Sequence, residues 1–532
     1  MRGRPKFSRA IVKSPGRRLQ QPRRSLLTGR NWSPNATHFA QSVKPGYRTG
    51  LVLVRRRPIE SLAAPRMRLF RNEALTHDPL HGYIPFTSAF DSPGDEVMER
   101  DLIDHPWVQR LRQIHQLQTA WWVFPSAEHT RFQHVLGAMH LASRAVEKLY
   151  SSLAEACPDV PSRGYVETLA RMAALLHDVG HGPFGHFLDE HLLVDYGLTH
   201  ETLGAAIIRR ELAPLLVRLR GNPNTRLDDD ERLDPEQICY LIQRPKDADE
   251  SGGPRWLRFL RSLFCGLYTV DNMDFVLRDA YMSGFNTRAF DLDRLLHYSF
   301  FSDRGLTIHA RGMPALVRFI GVRAELFRSL YFHRTVRAID LSLEDLFRES
   351  KRYLFPVSPL ADLPRYQRFT EWSLLIDVAR WPESDDPVQR DLGLKWGELL
   401  SRRRRWQMAA ERTVFYSPSY GERGSIFSHA KFFEQALREL LPRELKEIPL
   451  RVDLARHMHR PGTRGPAAGQ NFLYDSAREQ IRDLGDHELY RNLPMSYRLC
   501  RVYAETNEYD AVLAGALDTL VGPNEVDDRT NM

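Results

Sequence analysis

Apolar residues recur every three to four positions along most of the chain beyond about residue 68. This spacing gives each segment one apolar face and is typical of amphipathic helices that pack on a core. It predicts helices at 102–114, 131–153, 169–176, 200–208, 235–242, 263–283 and 317–348. In the C-terminal third it predicts helices near 365–380, 386–412 and 430–445.

Strand signals are few and short. Turn residues at 78–82 precede a β-like stretch that ends at Ile84, and residues 448–452 alternate in polarity. Polar and Gly/Pro-rich segments at 221–236 and 244–255 predict exposed loops. The pattern therefore predicts an all-α fold with a few short strands and a mixed, mostly helical C-terminal lobe.

Length and composition divide the chain into parts. With 532 residues, of which 42% are hydrophobic, the chain can form more than one domain or lobe. Three parts are predicted: a basic tail at 1–66, a principal helical domain at 67–348 and a C-terminal lobe at 349–532.

Basic charge is concentrated in the tail. Residues 1–59 contain 15 Lys and Arg and no Asp or Glu; subtracting them from the net charge of +8 leaves the remainder at −7. The Arg-, Pro- and Ser-rich composition predicts disorder. Three interpretations stay open: an arm that binds nucleic acid, an organellar transit segment, or an upstream extension before a true start at Met67.

Cysteine usage and hydropathy bear on the compartment. The four cysteines are scattered and form no Cys-x-x-Cys pair, which favours a reducing compartment over a disulfide framework. No apolar run reaches the length needed to cross a bilayer, and no secretory segment follows Met1. We therefore expect a cytoplasmic protein with no membrane contact.

One segment concentrates candidate chemistry. Residues 175–186 read Leu-Leu-His-Asp-Val-Gly-His-Gly-Pro-Phe-Gly-His. An apolar helix delivers His177 and Asp178 to its C-terminal end, and Gly180, Gly182 and Pro183 are predicted to stop that helix. Neutral imidazoles and ionised carboxylates bind metals, and further imidazoles transfer protons. Such a cluster is typical of a metal or catalytic site, although a single His would more often cap or pack.

A metal held by His177 and Asp178 needs further ligands from other helices. His134 lies near the start of one predicted helix, and Asp271 and Asp274 lie on another among apolar neighbours. Carboxylates on an apolar face are costly to bury unless they are paired or bind metal. Spacing alone does not choose between Asp271 and Asp274.

The ordered set of motifs resembles the HD-domain deoxynucleoside triphosphate triphosphohydrolases. The resemblance covers residues 67–348 and rests on Gln116-Leu117, residues 123–127, residues 131–134, residues 175–186, His200-Glu201 and residues 270–274. It implies a mainly helical HD-domain fold. It also implies hydrolysis of deoxynucleoside triphosphates (dGTP or a broader set) at the α-phosphorus, with release of deoxynucleoside and triphosphate.

The resemblance also implies roles for individual residues. The implied ligands of a divalent ion (Mg, Mn, Fe or Zn) are His134, His177, Asp178 and Asp271. The implied proton-transfer residues are His181, His186 and His200, with Asp189 orienting an imidazole. The implied substrate contacts are Gln116, Leu117, Arg131, Asp279, Arg323 and Tyr331. Candidate contacts for an activating GTP or dNTP are Asp104, Gln109 and Arg112, for which ordinary helix-surface polarity is an equal alternative.

Relatives further imply a homo-oligomer, a dimer or a tetramer. Two positions depart from the vertebrate members of the family that the motifs resemble. Asn272 stands in place of a phosphate-contacting Lys, and Phe275 stands in place of a Tyr. Two other functions therefore stay open: hydrolysis of nucleoside monophosphates or other phosphate esters, and non-enzymatic binding of nucleotides or nucleic acid, the latter supported by the basic tail.

Overall fold

A computed structural model describes residues 73–88, 96–244, 253–403, 405–416, 429–458, 471–493 and 496–522. All of them belong to one compact unit, Leu62–Met532. The predictions for the tail at 1–66, including the start at Met67, lie outside the described residues.

Helices dominate the fold, as the apolar spacing predicted. The first group is α1 Glu99–Ile103, α2 Pro106–Gln109, α3 Arg131–Ala156, α4 Arg163–Leu176, α5 His186–His191, α6 His200–Ile207, α7 Ala213–Leu216, α8 Pro235–Ile242, α9 Arg255–Arg261 and α10 Val270–Met282. The second group is α11 Leu292–His297, α12 Met313–Leu326, α13 Arg334–Leu354, α14 Leu363–Arg368, α15 Glu371–Arg380, α16 Pro387–Leu400, α17 Ala430–Leu440, α18 Glu488–Arg491 and α19 Asp510–Val521.

Some predicted helices were too long. The helix predicted at 263–283 begins only at Val270, because the Thr269 hydroxyl caps it by accepting the N–H of Asn272 at 3.0 Å. The region at 317–348 consists of α12, a π-helical turn at Phe327–Tyr331 and α13. The helix predicted at 386–412 ends at Leu400, and a strand follows.

The strands form three small sheets. They are β1 Glu73–Asp78, β2 Gly82–Thr87, β3 Ser299–Ser302, β4 Gly305–His309, β5 Gln407–Tyr416, β6 Leu450–Met458, β7 Asn471–Asp475, β8 Gln480–Asp483 and β9 Ser496–Ala504. β1 and β2 form a hairpin, a second sheet has the order β3-β4-β7-β8, and a third has the order β5-β9-β6. The hairpin and β6 confirm the two strand signals read from the sequence.

The core that positions the site is built around α3 and α4. Helix α4 is buried all round from Gly164 to Leu176, and α3 packs against both α4 and α10. The one buried cation of α4 is Arg171, which Glu99 of α1 neutralises. Arg171 Nε lies 2.6 Å from Glu99 Oε1, and Nη2 lies 2.9 Å from Oε2. A helix enclosed in this way gives a rigid base for the residues that follow its C-terminus.

The C-terminal part is joined closely to the preceding part. Helix α13 passes through the boundary predicted at 348/349, and β7 pairs in parallel with β4, so that Leu473 lies opposite Ile308. The division into domains at 67–348 and 349–532 stays a prediction.

Within the described ranges, no helix is both long enough and apolar enough to cross a bilayer. Cys157, Cys239, Cys265 and Cys500 are all free thiols.

Candidate metal and proton-transfer site

Three helices bring the predicted metal ligands together. His134 lies in the first turn of α3, Asp271 lies in the first turn of α10, and His177 and Asp178 directly follow α4. A capping box between Thr130 and Gln133 fixes the start of α3. Each ligand therefore sits at the end of a buried helix, where the direction of its side chain is well determined.

The ligand atoms converge. His134 Nε2 lies 3.3 Å from His177 Nε2 and 3.1 Å from Asp271 Oδ1. His177 Nε2 lies 3.3 Å from Asp178 Oδ1 and 3.7 Å from Asp271 Oδ1. Two atoms that each bind a shared ion at about 2.1 Å and at right angles lie roughly 3 Å apart. The spacing of His134, His177 and Asp178 fits one divalent cation, and Asp271 approaches it from the side of the two imidazoles.

The other nitrogen of each imidazole is already engaged. His134 Nδ1 donates to Asp274 Oδ2 at 2.8 Å, and His177 Nδ1 donates to the carbonyl oxygen of Ala174 at 2.7 Å. These contacts fix the tautomers and leave both Nε2 lone pairs facing the same point, as in metal-binding histidines.

Asp271 and Asp274 therefore have different positions around His134. Asp271 faces Nε2, on the side of His177, whereas the fully buried Asp274 lies behind the ring at Nδ1. Asp274 also accepts from Arg278 Nε at 2.8 Å and contacts His81 Nε2 at 2.7 Å. Gly137 leaves room for the Asp274 carboxylate, because a Cβ at position 137 would lie 2.0 Å from Asp274 Oδ1.

The cluster concentrates negative charge that a cation would neutralise. Burial alone would raise the pKa of Asp178, but His177 and Arg131 hold that pKa well below its ordinary value. Burial alone would lower the pKa of His134, but hydrogen bonds to Asp271 and Asp274 raise it to about 10. A divalent cation held by His134 and Asp271 would supply the positive charge that the proton otherwise provides.

A second cluster lies beside the first. Asp189 Oδ2 lies 2.5 Å from His200 Nδ1 and 3.3 Å from His186 Nδ1, and the rings of His181 and His200 are stacked at 3.8 Å. The side chain of His181 is buried, whereas that of His186 is 62% exposed. The structure thus brings together the three predicted proton-transfer histidines and Asp189, which was predicted to orient an imidazole.

The geometry of this second cluster favours proton transfer over metal binding. The four side chains are close enough to hold an ion. The stacked rings of His181 and His200 are nearly parallel, at 15°. The lone pairs of their nitrogens therefore lie in two separate planes and do not point at one ion. Burial alone would raise the pKa of Asp189, but hydrogen bonds from His186 and His200 lower it to about 2, so the carboxylate stays ionised and orients both rings. Burial and the neighbouring Arg131 hold the pKa of His181 well below its ordinary value.

The turn between the clusters differs from the prediction in one respect. Helix α4 ends at Leu176, before Gly180, so Gly180 does not stop it. Gly180 instead permits close packing on α6, since a Cβ there would lie 2.0 Å from the carbonyl oxygen of His200. Gly185 has φ +55° and leaves space for Arg131, whose Nη1 donates to Asp178 Oδ2 at 2.7 Å.

The predicted substrate contacts are partly assembled. Asp279 is buried and accepts hydrogen bonds from His129 Nε2 at 2.8 Å and from the Tyr331 hydroxyl. Gln116 has a buried Oε1 with no partner. Burial lowers the pKa of Arg323. Asp271 and Tyr331 oppose that shift because both lie near its guanidinium group. Leu117 is buried in the adjacent core.

The candidate activator contacts lie at the surface. Asp104 and Arg112 are exposed, and Gln109 Oε1 accepts from Arg112 Nε at 2.8 Å. Asn272 and Phe275 are half-buried on α10 beside the ligand Asp271. Their roles stay predictions.

Sequence reasoning missed several residues that support the site. His129 holds Asp279, and its place two residues before Arg131 is the only sequence signal for it. Arg110 donates to the carbonyl oxygen of His181 at 2.5 Å, and the Tyr366 hydroxyl donates to that of Gly180 at 2.8 Å. The sequence gives no signal for Arg110 or Tyr366, since their partners lie 71 and 186 residues away.

Comparisons with known proteins agree with this geometry. A family model described as "HD domain" matches residues 131–247, which include three of the four candidate ligands. Uncharacterized protein YwfO of Bacillus subtilis is 27% identical over 62% of this chain and 71% of its own length. The deoxynucleoside triphosphate triphosphohydrolase SAMHD1 of Homo sapiens is 28% identical over 52% of this chain and 45% of its own length. The SAMHD1 homolog of Dictyostelium discoideum is 26% identical over 59% and 56% respectively.

The chain thus spans about half the length of the named triphosphohydrolases that it matches. A crystal structure of a hypothetical protein from Aquifex aeolicus superposes with a TM-score of 0.59 at 23% identity, over 84% of this chain and 100% of that chain, which shows the same fold. Together with the ligand geometry, these matches identify residues 131–247 as an HD domain and support a phosphohydrolase that is similar to the deoxynucleoside triphosphate triphosphohydrolases.

Proposed function

We propose that the protein hydrolyses deoxynucleoside triphosphates to deoxynucleoside and triphosphate and requires a divalent metal ion. The observation that carries this proposal is the position of Asp178 between the two clusters. Its Oδ1 lies 3.3 Å from His177 Nε2 and 3.5 Å from His181 Nε2, while its Oδ2 accepts from Arg131. Metal ligands, a cationic side chain and proton-transfer residues therefore surround one place where a phosphate fits.

The reaction adds water to the α-phosphorus and breaks the bond to the 5′-oxygen. The water loses a proton, and the 5′-oxygen gains one as the deoxynucleoside leaves. His134, His177, Asp178 and Asp271 would hold a divalent cation, which would supply the Lewis acidity that polarises a phosphoryl oxygen and lowers the pKa of water. Arg131 offsets charge on the phosphate oxygens as the bond breaks.

Proton transfer is assigned to the second cluster. Asp189 orients the rings of His186 and His200. His186 is the exposed member and can reach the leaving oxygen, whereas the half-buried His200 is held in line behind it. This division of roles follows from their exposure and from the carboxylate that they share.

Substrate selection is assigned to the pocket around Asp279. His129 and Tyr331 each fix one carboxylate oxygen of Asp279, and we assign to this fixed side chain the role of excluding a 2′-hydroxyl by its position. Gln116 Oε1, Leu117 and Arg323 complete the contacts to the nucleoside and phosphates in this proposal. A deoxyribose is expected to bind more tightly than a ribose.

Regulation and assembly belong to the proposal as well. Asp104, Gln109 and Arg112 are proposed to contact an activating GTP or dNTP in a homo-oligomer, a dimer or tetramer. Light scattering with and without GTP tests the assembly. Salt-dependent binding of single-stranded DNA that is lost on removal of residues 1–66 would assign a nucleic-acid role to the tail.

The decisive experiment separates the reaction products. The purified protein is incubated with each dNTP and with Mg²⁺ or Mn²⁺, with and without GTP. Nucleoside, monophosphate, diphosphate, triphosphate anion and orthophosphate are then resolved by ion-exchange chromatography. Equal amounts of deoxynucleoside and triphosphate are expected. Orthophosphate without nucleoside would rule out attack at the α-phosphorus, and turnover of nucleoside monophosphates alone would establish the alternative activity.

A further inference from the structure

The turn that carries the proton-transfer residues has an unfavourable backbone. Phe184 adopts φ +60° although it is not a glycine, and Gly185 follows with φ +55°. A left-handed conformation is disfavoured for an aromatic residue and persists where neighbouring contacts impose it. The buried ring of Phe184, set edge-on against Trp122 and Phe187, provides part of this support.

A buried carboxylate from outside the region of resemblance provides a more specific contact. Glu371 is the first residue of α15 and is fully buried. Its Oε1 accepts the N–H of Phe184 at 2.9 Å. Its Oε2 accepts the backbone N–H of His115 at 3.3 Å and contacts the His115 ring at Nδ1. Each oxygen of one carboxylate thus holds a different segment.

The second segment belongs to the proposed nucleoside pocket. The residue after His115 is Gln116, whose N–H donates to the carbonyl oxygen of His129 at 3.0 Å. His115 itself is fixed by stacking on Trp121 at 4.1 Å and by Glu128, 3.2 Å from its Nε2. Glu371 therefore spans the gap between the proton-transfer turn and the wall of the pocket.

We propose that Glu371 is a positioning residue, which sets the turn carrying His181 and His186 against the segment carrying Gln116 and Leu117. Its kinetic consequence rests on the proposed function, since the two segments would hold opposite ends of one nucleotide. A displacement of about 1 Å between reacting groups can reduce a rate by roughly 10²-fold. Substitution of Glu371 is therefore expected to lower kcat more than it raises KM.

Hydrogen exchange tests this role without relying on catalysis. Peptides covering 181–187 and 112–117 are followed by mass spectrometry in the wild type, Glu371→Ala, Glu371→Gln and the control Glu383→Gln, an exposed glutamate that follows the same helix. Glu371→Ala is expected to speed exchange in both peptides at least 10-fold. An amide supplies one acceptor oxygen in place of two, so Glu371→Gln is expected to speed exchange in one of them. A peptide from the middle of α3 is expected to stay unchanged in every variant.

Kinetics on dNTPs then test the consequence. We expect kcat to fall at least 10-fold in Glu371→Ala, with partial recovery in Glu371→Gln and no change in Glu383→Gln. Unchanged exchange in both peptides of Glu371→Gln would overturn the positioning role even if Glu371→Ala did not fold. Faster exchange with unchanged kcat would also overturn it. A wild type that hydrolyses no dNTP would reject the proposed function, whereas the exchange comparison would still decide whether Glu371 holds the turn.

Discussion

The metal cluster and the proton-transfer cluster are neighbours, yet they are supported in different ways. The ligands His134 and His177 sit on ends of the buried helices α3 and α4, and their second nitrogens are fixed by Asp274 and by a backbone carbonyl. His181 lies in a turn and His186 begins the short helix α5; this turn is held by contacts from distant segments. The difference teaches that the candidate ligands are placed by helix ends, whereas the proton-transfer residues are placed by contacts from distant parts of the chain.

The largest effect should come from the residue that joins both clusters. Asp178→Ala removes a ligand and leaves Arg131 without its partner. We expect metal content, measured by inductively coupled plasma mass spectrometry, to fall to background and turnover to fall by about 10³-fold or more, equivalent to roughly 4 kcal/mol. Asp230→Asn, at an exposed loop position, is the matched control. Full activity in Asp178→Ala would contradict the metal assignment.

A more moderate effect should separate the clusters. His200→Ala removes a ring that stacks on His181 and contacts Asp189. This ring touches none of the candidate ligands. We expect kcat to fall by about 10²- to 10⁴-fold, as for loss of a general acid–base group, with metal content unchanged. Loss of metal in His200→Ala would place this residue in the ion site and would remove the proposed division.

Support behind the ligands should matter next. Asp274→Asn weakens the contact to His134 Nδ1 and leaves Arg278 paired with Asp78 alone. Loss of such an outer contact lowers metal affinity by about 10- to 100-fold. Breaking a buried ion pair also costs about 3–5 kcal/mol, so the free energy of unfolding in urea should fall as well. A variant with wild-type Mn²⁺ affinity would show that Asp274 stabilises the fold without tuning the ion site.

Sequence reasoning succeeded where the information is local. The run of apolar residues before His177 predicted a buried helix, and the apolar spacing from residue 200 predicted α6, which begins at His200 where the Thr199 hydroxyl accepts the N–H of Thr202. The helix predicted at 386–412 was too long because residues 407–412 belong to β5, which pairs with β9 about 90 residues further along the chain. Such pairing is decided by distant partners that a local pattern does not contain.

The same limit applies within the site. Asp271 and Asp274 lie on one face of α10, three residues apart, so both reach His134, and only the fold shows that they meet different ring nitrogens. Glu371 escaped notice for a stronger reason, because it lies 256 residues beyond His115 and 187 beyond Phe184. Motifs name the candidate ligands, whereas no motif names the residues that hold the turn.

The smallest effect concerns pH and tests the contact between Glu371 and His115 that supports the turn. Burial alone would lower the pKa of His115, but Glu371 and Glu128 raise it above its ordinary value of 6.5. A raised pKa in the folded state means that the protonated ring stabilises the fold fully below about pH 6.5 and that this contribution is lost as pH rises through the folded-state pKa. The free energy of unfolding of the wild type, relative to His115→Gln, should therefore decrease between pH 6 and pH 9.

Glu128→Gln, which alters a largely exposed carboxylate, should reduce that decrease less than Glu371→Gln does. A wild-type advantage that grew with pH would show that His115 stabilises the turn as a neutral ring.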